Sequence, residues 1–458
     1  MHTLKLDSDA VHCPTYAGRS FSHDVPKYRL PKQGMDADAA YQLVHDELNL
    51  DGNPALNLAS FVTSWMEPQA DKLATETLNK NLIDQDEYPQ TEVVHQRVVS
   101  MIGRLFYAPV GEQPTGTATI GSSEAIMLAM LAHKRSWQRR READGLPTDR
   151  PNMVMGADVH TCWEKFARYF EVQARIAPMQ EGRYTVAAEQ VESLIDENTI
   201  AVAGLLGTTF TGQMDDLASI DTLLGRLESE RGWHIPLHVD AASGGFVVPF
   251  SQPDLEWDFR LPHVRSINVS NHKFGLVYPG MGTVVFRDRS DLPEELVFHI
   301  NYLGGDMPNY SLNFSRPSNS VVLQYFNFLR LGHAGYREIV MNVLSNAQAL
   351  ASKLGAIDGL ELLNDGSTFP IVALRASDPD GSLDLTKLSH RLREKGWIVP
   401  AYTLPPNAEH ITVLRIVVKE NFSRDMVDML SRDVHTAVRT LHREGGADPG
   451  RPRTRPHC

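Results

Sequence analysis

Apolar residues in this chain recur with two spacings, and the two alternate. Val94, Val98, Met101, Ile102 and Leu105 follow the helical period and predict a helix over about 91–107. Short apolar runs at 153–155, 200–206, 237–239, 266–269 and 283–286 are bounded by polar and turn residues and read as strands. Helical spacing over 162–170, 187–195 and 220–228 falls between them. A further helix over 36–48, with Ala39, Ala40, Leu43 and Val44 on one face, is closed by Asp51-Gly52-Asn53-Pro54. Thr117 to Ser123 leads into a helix over 126–137, with the serines read as its cap. Buried strands alternating with helices predict an α/β fold, its mostly parallel sheet covered on both faces.

Near residue 340 the rhythm changes. A helix over 338–354, a strand over 369–374, a helix over 385–395, a strand over 412–418 and a helix from 423 predict a small α+β domain. The expected organisation is an N-terminal arm and helix over 1–57, a large domain over 58–335, a small domain over 336–445 and a basic tail over 446–458. Composition narrows the function. Of 458 residues 42% are hydrophobic, which suits a folded chain, and the net charge of −13 disfavours nucleic acid. Cys13, Cys162 and Cys458 are scattered with no CxxC, so neither a zinc ribbon nor a disulfide framework is expected, and no metal. The start lacks an apolar export segment, and no apolar run is long enough for a bilayer. The expectation is a soluble cytoplasmic protein with no membrane partner.

Three features carry chemistry. Ser270-Asn271-His272-Lys273-Phe274-Gly275 puts a lysine just past a buried strand. Alone, that lysine is an ordinary surface residue at a strand end. His238-Val239-Asp240-Ala241-Ala242-Ser243-Gly244-Gly245 puts an aspartate at the carboxyl end of another strand, the edge where open α/β sheets bind ligands. Gly121-Ser122-Ser123 at a helix start offers exposed N–H groups and the positive end of a helix dipole to a phosphate. Together they are the parts pyridoxal phosphate needs: a lysine for the aldehyde, a carboxylate for the pyridine nitrogen and a phosphate cradle. His160, in Asp158-Val159-His160-Thr161-Cys162-Trp163, is a candidate to stack on the flat ring, or an ordinary loop histidine.

At this point the sequence resembles the glutamate decarboxylases of bacteria and plants, within the group II decarboxylases of pyridoxal-phosphate fold type I. The resemblance spans about 25–440. It rests on runs such as Glu87-Tyr88-Pro89-Gln90, Ile120-Gly121-Ser122-Ser123-Glu124-Ala125, Lys165-Phe166-Ala167-Arg168-Tyr169, Trp257-Asp258-Phe259-Arg260-Leu261-Pro262, His272-Lys273-Phe274-Gly275-Leu276 and Asn313-Phe314-Ser315-Arg316-Pro317. It implies the fold of pyridoxal-phosphate-dependent transferases, with Lys273 holding the cofactor and Asp240 its ring nitrogen. Ser122, Ser123, Ser270 and His272 would be phosphate ligands, and Thr209 would lie near the ring hydroxyl. Ser315 would contact the phosphate from a neighbouring subunit, in a homodimer with shared active sites. Arg415 would hold the substrate α-carboxylate through its planar fork. Ser60, Phe61, Asn81 and Asp84 would form the distal-carboxylate pocket, and Tyr302 or a nearby histidine would protonate the α-carbon.

The implied reaction is α-decarboxylation of L-glutamate to 4-aminobutanoate. This chain departs from the family pattern in His160 (for Gln), Asn271 (for Gly), Thr283 (for Trp), Ser60 (for Thr) and the loop Asp306-Met307-Pro308-Asn309. These departures leave open a paralogue that acts on another amino acid, or one that decarboxylates oxidatively. Association of dimers into larger assemblies is also open.

Overall fold

The computed structural model describes residues 27–109, 115–301, 307–378 and 383–445. The chain divides into two compact units, one ending at Leu56 and one beginning at Asn57. The first holds α1 (Ala37–Leu48), whose N-terminus is capped by the Asp36 side chain accepting from Asp38 N–H at 2.9 Å. Ala39 is buried, but Val44, read as lying on the same face, is exposed.

In the second unit, a seven-stranded sheet combines β1 (Thr115–Thr119), β2 (Asn152–Gly156), β3 (Gln173–Ala177), β4 (Thr199–Leu205), β5 (Leu237–Asp240), β6 (Val264–Val269) and β7 (Gly282–Phe286). The order is β1-β7-β6-β5-β4-β2-β3. The run from β6 to β3 is parallel, while β7 is antiparallel to both β6 and β1. Every residue of β2, β4, β5 and β7 is buried, so both faces of these strands are covered. Helices α2 (Pro68–Glu76), α3 (Pro89–Leu105), α4 (Ser122–Ala143), α5 (Thr161–Tyr169), α6 (Ala188–Leu194), α7 (Leu217–Arg231) and α8 (Val248–Ser251) accompany the sheet. One apolar layer joins Ile126, Met130 and Trp137 of α4 to Trp163 and Phe166 of α5, over Met153 and Met155 of β2 and Ile200 and Ala203 of β4. Truncating a ring such as Phe166 to alanine costs about 3–5 kcal/mol.

A short hairpin, β8 (Phe298–Ile300) and β9 (Met307–Asn309), precedes α9 (Asn319–Gly355). The spacing predicted only the second half of α9. Its axis is interrupted at Gly332, where φ is +57° and ψ −172°. Positive φ favours glycine, so this one residue joins the two helical segments across the kink. A second sheet, in the order β10-β11-β13-β12, consists of β10 (Leu360–Asp365), β11 (Ile371–Ala376), β12 (Ala401–Thr403) and β13 (Thr412–Val417), with α10 (Leu385–Arg393) and α11 (Arg424–Gly445). No helix among the described residues is long and apolar enough to cross a membrane.

Candidate active site

A cavity of about 430 Å³ opens at the carboxyl edge of the parallel strands. It is lined by Ser122 and Ser123 from the start of α4, by His160 and Thr209, by Asp240 at the end of β5, and by Ser270, His272 and Lys273 just past β6. These are eight of the residues singled out from the sequence. They meet because parallel strands bring their carboxyl ends to one edge, however far apart they lie in the chain.

Lys273 Nζ donates to Ser243 Oγ at 3.1 Å and lies 4.9 Å from the centre of the Phe61 ring. Burial lowers its pKa and Arg415 adds to this, while Asp240 pulls the other way. A lowered ammonium pKa raises the share of free amine, the form that attacks an aldehyde. The lysine loop is held from behind. Thr63 Oγ1 donates to the Lys273 carbonyl at 2.7 Å, and Thr63 N–H donates to the His272 carbonyl at 2.8 Å. Leu276 takes a φ of +64°, strained for a branched side chain, and Asn327 Nδ2 donates to its carbonyl at 2.6 Å.

Asp240 is only 7% exposed. Trp163 Nε1 donates to its Oδ2 at 3.0 Å, while Asn268 Nδ2 at 2.9 Å and Ala242 N–H at 3.1 Å donate to its Oδ1. Burial, then the Lys273 charge, brings His272 down to about 4. Met281 N–H donates to His272 Nδ1 at 3.2 Å, so the neutral ring carries its proton on Nε2 as a donor. His160 begins α5, and its Nδ1 accepts from Cys162 N–H at 3.3 Å. Partial burial and the Lys273 charge lower its pKa.

The serines at α4 are not caps. The N-cap position is Gly121, and Glu124 Oε2 accepts from Ile120 N–H at 2.8 Å. Ser122 Oγ instead lies 2.6 Å from Ser270 Oγ and accepts from Asn268 Nδ2 at 2.9 Å. The hydroxyls therefore serve the cavity beside the helix N-terminus. Gly282 permits this approach, since a Cβ there would stand 2.6 Å from the Gly121 carbonyl carbon.

Arg415 lies on β13, 7% exposed. Its Nη1 donates to the Thr209 carbonyl at 2.5 Å, its Nη2 donates to the Ala59 carbonyl, and its Nε has no partner. The guanidinium carbon is 5.1 Å from the Phe61 ring centre and 5.7 Å from that of Tyr402. Lys273, Phe61 and Arg415 thus form one cluster. Ser60 Oγ accepts from Val62 N–H at 3.1 Å and shapes the turn before Phe61.

Ser60, Phe61 and Arg415 are not among the residues lining this cavity, although Phe61 and Arg415 cluster beside Lys273, and Asn81, Asp84 and Ser315 do not line it either. Asn81 Oδ1 accepts from Arg316 N–H at 3.0 Å, and its Nδ2 donates to Ser315 Oγ at 3.4 Å. Asp84 N–H donates to the Asn81 carbonyl at 3.2 Å. Tyr302 lies outside the described residues, as do Cys13, Cys458 and residues 303–306.

Asn271 and Thr283, both singled out from the sequence, meet each other. Thr283 Oγ1 donates to Asn271 Oδ1 at 2.8 Å, and Asn271 Nδ2 donates to Gln324 Oε1 at 2.9 Å. All three are fully buried and outside the cavity lining, so they form part of the core that supports the lysine loop. Asp158 also lines the cavity and was not singled out from the sequence, although it follows β2 at the same edge. It is 2% exposed, its Oδ2 has no partner, and burial with nearby Asp215 holds its pKa well above the carboxylate range. Burial, then Asp240, pushes the Cys162 thiol up to about 12, so it is no thiolate nucleophile. Among the described residues no three His, Cys, Asp or Glu side chains group as a metal site.

The chain belongs to the pyridoxal-dependent decarboxylase family, whose conserved-domain model matches residues 28–377. It is 49% identical to the glutamate decarboxylase of Solanum lycopersicum over 96% of this chain and 88% of that one. To the glutamate decarboxylase of Aliivibrio fischeri it is 44% identical, over 96% and 95% of the two chains. The solved glutamate decarboxylase of Lactobacillus brevis CGMCC 1306 superposes with a TM-score of 0.90 at 43% identity, covering 95% of this chain and 99% of that one. The sphingosine-1-phosphate lyase of Burkholderia pseudomallei K96243, at 20% identity, shares the fold with a TM-score of 0.77, covering 91% of this chain and 94% of that one. The cavity's donor set fits pyridoxal phosphate: an amine, a carboxylate fed by three N–H groups, and hydroxyls at a helix N-terminus.

Proposed function

We infer that this enzyme removes the α-carboxyl group of L-glutamate, giving 4-aminobutanoate and carbon dioxide, with pyridoxal phosphate as cofactor. The observation that carries the reading is the joining of Lys273, Asp240 and the α4 N-terminus in one cavity, in a chain about half identical to glutamate decarboxylases over nearly its whole length. When bound, pyridoxal phosphate supplies an electron sink for the pair released as the Cα–carboxylate bond breaks.

In this reading the protein does the positioning. Lys273 is the amine that holds the cofactor, Asp240 keeps the ring nitrogen protonated, and His160 stacks on the ring. Ser122, Ser123, Ser270 and the Nε2–H of His272 receive the phosphate, with Thr209 beside the ring hydroxyl. Arg415 presents N–H groups beside Phe61 to the α-carboxylate and orients the bond to be broken. Tyr302 or a nearby histidine supplies the proton to Cα. Residues 58–335 act as the cofactor domain and 336–445 as the domain that carries Arg415.

We further propose a homodimer acting in the cytoplasm. Asn81, Asp84 and Ser315 are absent from the lining of their own chain's cavity, and Leu312 and Phe314 near Ser315 are 48% and 40% exposed. A second copy would bring these residues to its partner's site and complete the distal-carboxylate pocket with Ser60 and Phe61.

The test is to supply purified protein, pyridoxal phosphate and L-glutamate, and to measure products and oxygen. Equal amounts of 4-aminobutanoate and carbon dioxide without oxygen uptake are expected. An oxidised product, or turnover of another amino acid in preference to glutamate, would overturn the reading.

A further inference from the structure

A line of buried polar side chains leads from Asp240 into the core. Ser266 and Asn268 share one face of β6, and His238 and Asp240 share one face of β5. Ser266, Asn268 and His238 are fully buried, and His133 of α4 is 3% exposed. Polar groups at such depth are tolerated only when each is paired.

The pairing has one direction. The Asp240 carboxylate accepts, so the amide nitrogen of Asn268 faces it at 2.9 Å. The same nitrogen donates to Ser122 Oγ at 2.9 Å. Asn268 Oδ1 then accepts from His238 Nε2 at 2.7 Å. Burial keeps both histidines neutral, bringing His238 down to about 4 and His133 well below its ordinary range. His238 Nδ1 must therefore accept from Ser266 Oγ at 2.6 Å, and Ser266 Oγ accepts from His133 Nε2 at 2.6 Å. An amide does not readily pass a proton, so the line is no proton wire; it sets orientation.

We propose that Asn268, held by His238, Ser266 and His133, is a positioning residue that locks the Asp240 carboxylate and the Ser122 hydroxyl in one relation. The groups assigned to the two ends of the cofactor, ring nitrogen and phosphate, are then set by a single amide. The inference rests on the cofactor reading above. His238 keeps the amide from turning over, because a turned amide would face Asp240 with oxygen.

Asn268→Asp, Asn268→Ala, His238→Leu and His238→Gln test it, with melting temperature confirming the fold. The readouts are the dissociation constant for pyridoxal phosphate, the absorbance of the lysine-bound cofactor, and kcat against KM for glutamate. Asn268→Asp is nearly isosteric but sets a second carboxyl beside Asp240, so the pair shares a proton and the negative charge facing the ring is divided. Its cofactor affinity is expected to fall about tenfold or more, with a shifted absorbance band. Asn268→Ala is expected to lower kcat by a similar factor with little change in KM. His238→Leu shifts the band, and His238→Gln, whose amide still donates, restores it. Parental affinity and spectrum in both Asn268 variants, in folded protein, would overturn the inference alone. A parent protein without a lysine-bound band would overturn the cofactor reading and the inference with it.

Discussion

The Lys273 cavity and the Asn81–Ser315 patch hold residues assigned to the same reaction, yet they are built differently. In the cavity, the chain completes its own geometry. Asp240 receives three N–H donors, Lys273 is held through the backbone by Thr63, and Ser122 lies between Asn268 and Ser270. At the patch, Asn81 and Ser315 meet over a long 3.4 Å contact, outside the cavity lining. Groups at one edge of a parallel sheet are gathered by the sheet itself. In the proposed homodimer, the patch would be completed only when a second chain arrives.

The sharpest way to break this contrast is Lys273→Ala. Turnover is expected to fall by about a thousandfold or more, because among the described residues no other lysine lines the cavity. Borohydride reduction followed by peptide mapping should place the pyridoxyl group on Lys273 in the parent protein. Labelling of another lysine would remove the cavity from the mechanism.

Arg415→Lys comes next. It keeps the charge and loses the planar fork, so kcat/KM for glutamate should drop about 10- to 100-fold with cofactor binding retained. Near-parental kinetics would place the α-carboxylate elsewhere.

The core beneath the cavity has its own pH signature. Burial brings the His238 pKa down from its ordinary value of 6.5 to about 4 in the folded protein. As pH falls from about 6.5 to 4, the unfolded chain takes up a proton that the folded one refuses, so stability is lost. The buried carboxyl of Asp215, pushed up to about 6, works in the opposite direction, but equally in parent and variant. Urea unfolding across this range should therefore show the parent losing about 3 kcal/mol more than His238→Gln. Parallel curves would mean that His238 is not held neutral.

The gentlest test addresses the patch. Lys273→Ala and Ser315→Trp proteins, each inactive, are mixed and allowed to exchange subunits. If sites are shared, each mixed dimer holds one intact site, and about a quarter of parental activity should return. No recovery, with exchange confirmed by mass, would place Ser315 in its own chain's chemistry or in none.

Much of the fold was legible along the chain, because buried parallel strands are short continuous apolar runs and amphipathic helices keep their period. The edge strands were not. β1 is Thr-Gly-Thr-Ala-Thr and reads as a hydroxyl-rich lead into α4, and β3 has only Ala177 buried. Their identity comes from pairing with β7 and β2, a partner that local sequence does not contain. The reversal of β7 was equally invisible, since strand direction depends on how the chain returns.

The sequence alone determined the reactive residue types and their placement after buried strands: Lys273 past β6, Asp240 ending β5, and Ser122 and Ser123 opening α4. Strand ends and helix starts are local events, set by the neighbouring side chains. Tertiary structure alone decided that Asn271 and Thr283 are hydrogen-bonded to each other, that Asp158 faces the cavity, that the α4 serines do not cap it, and that Asn268 joins Asp240 to Ser122. Each of these rests on contact between residues far apart in the chain, and hydrogen bonds are specified by distance and direction in space, which no spacing along a sequence encodes.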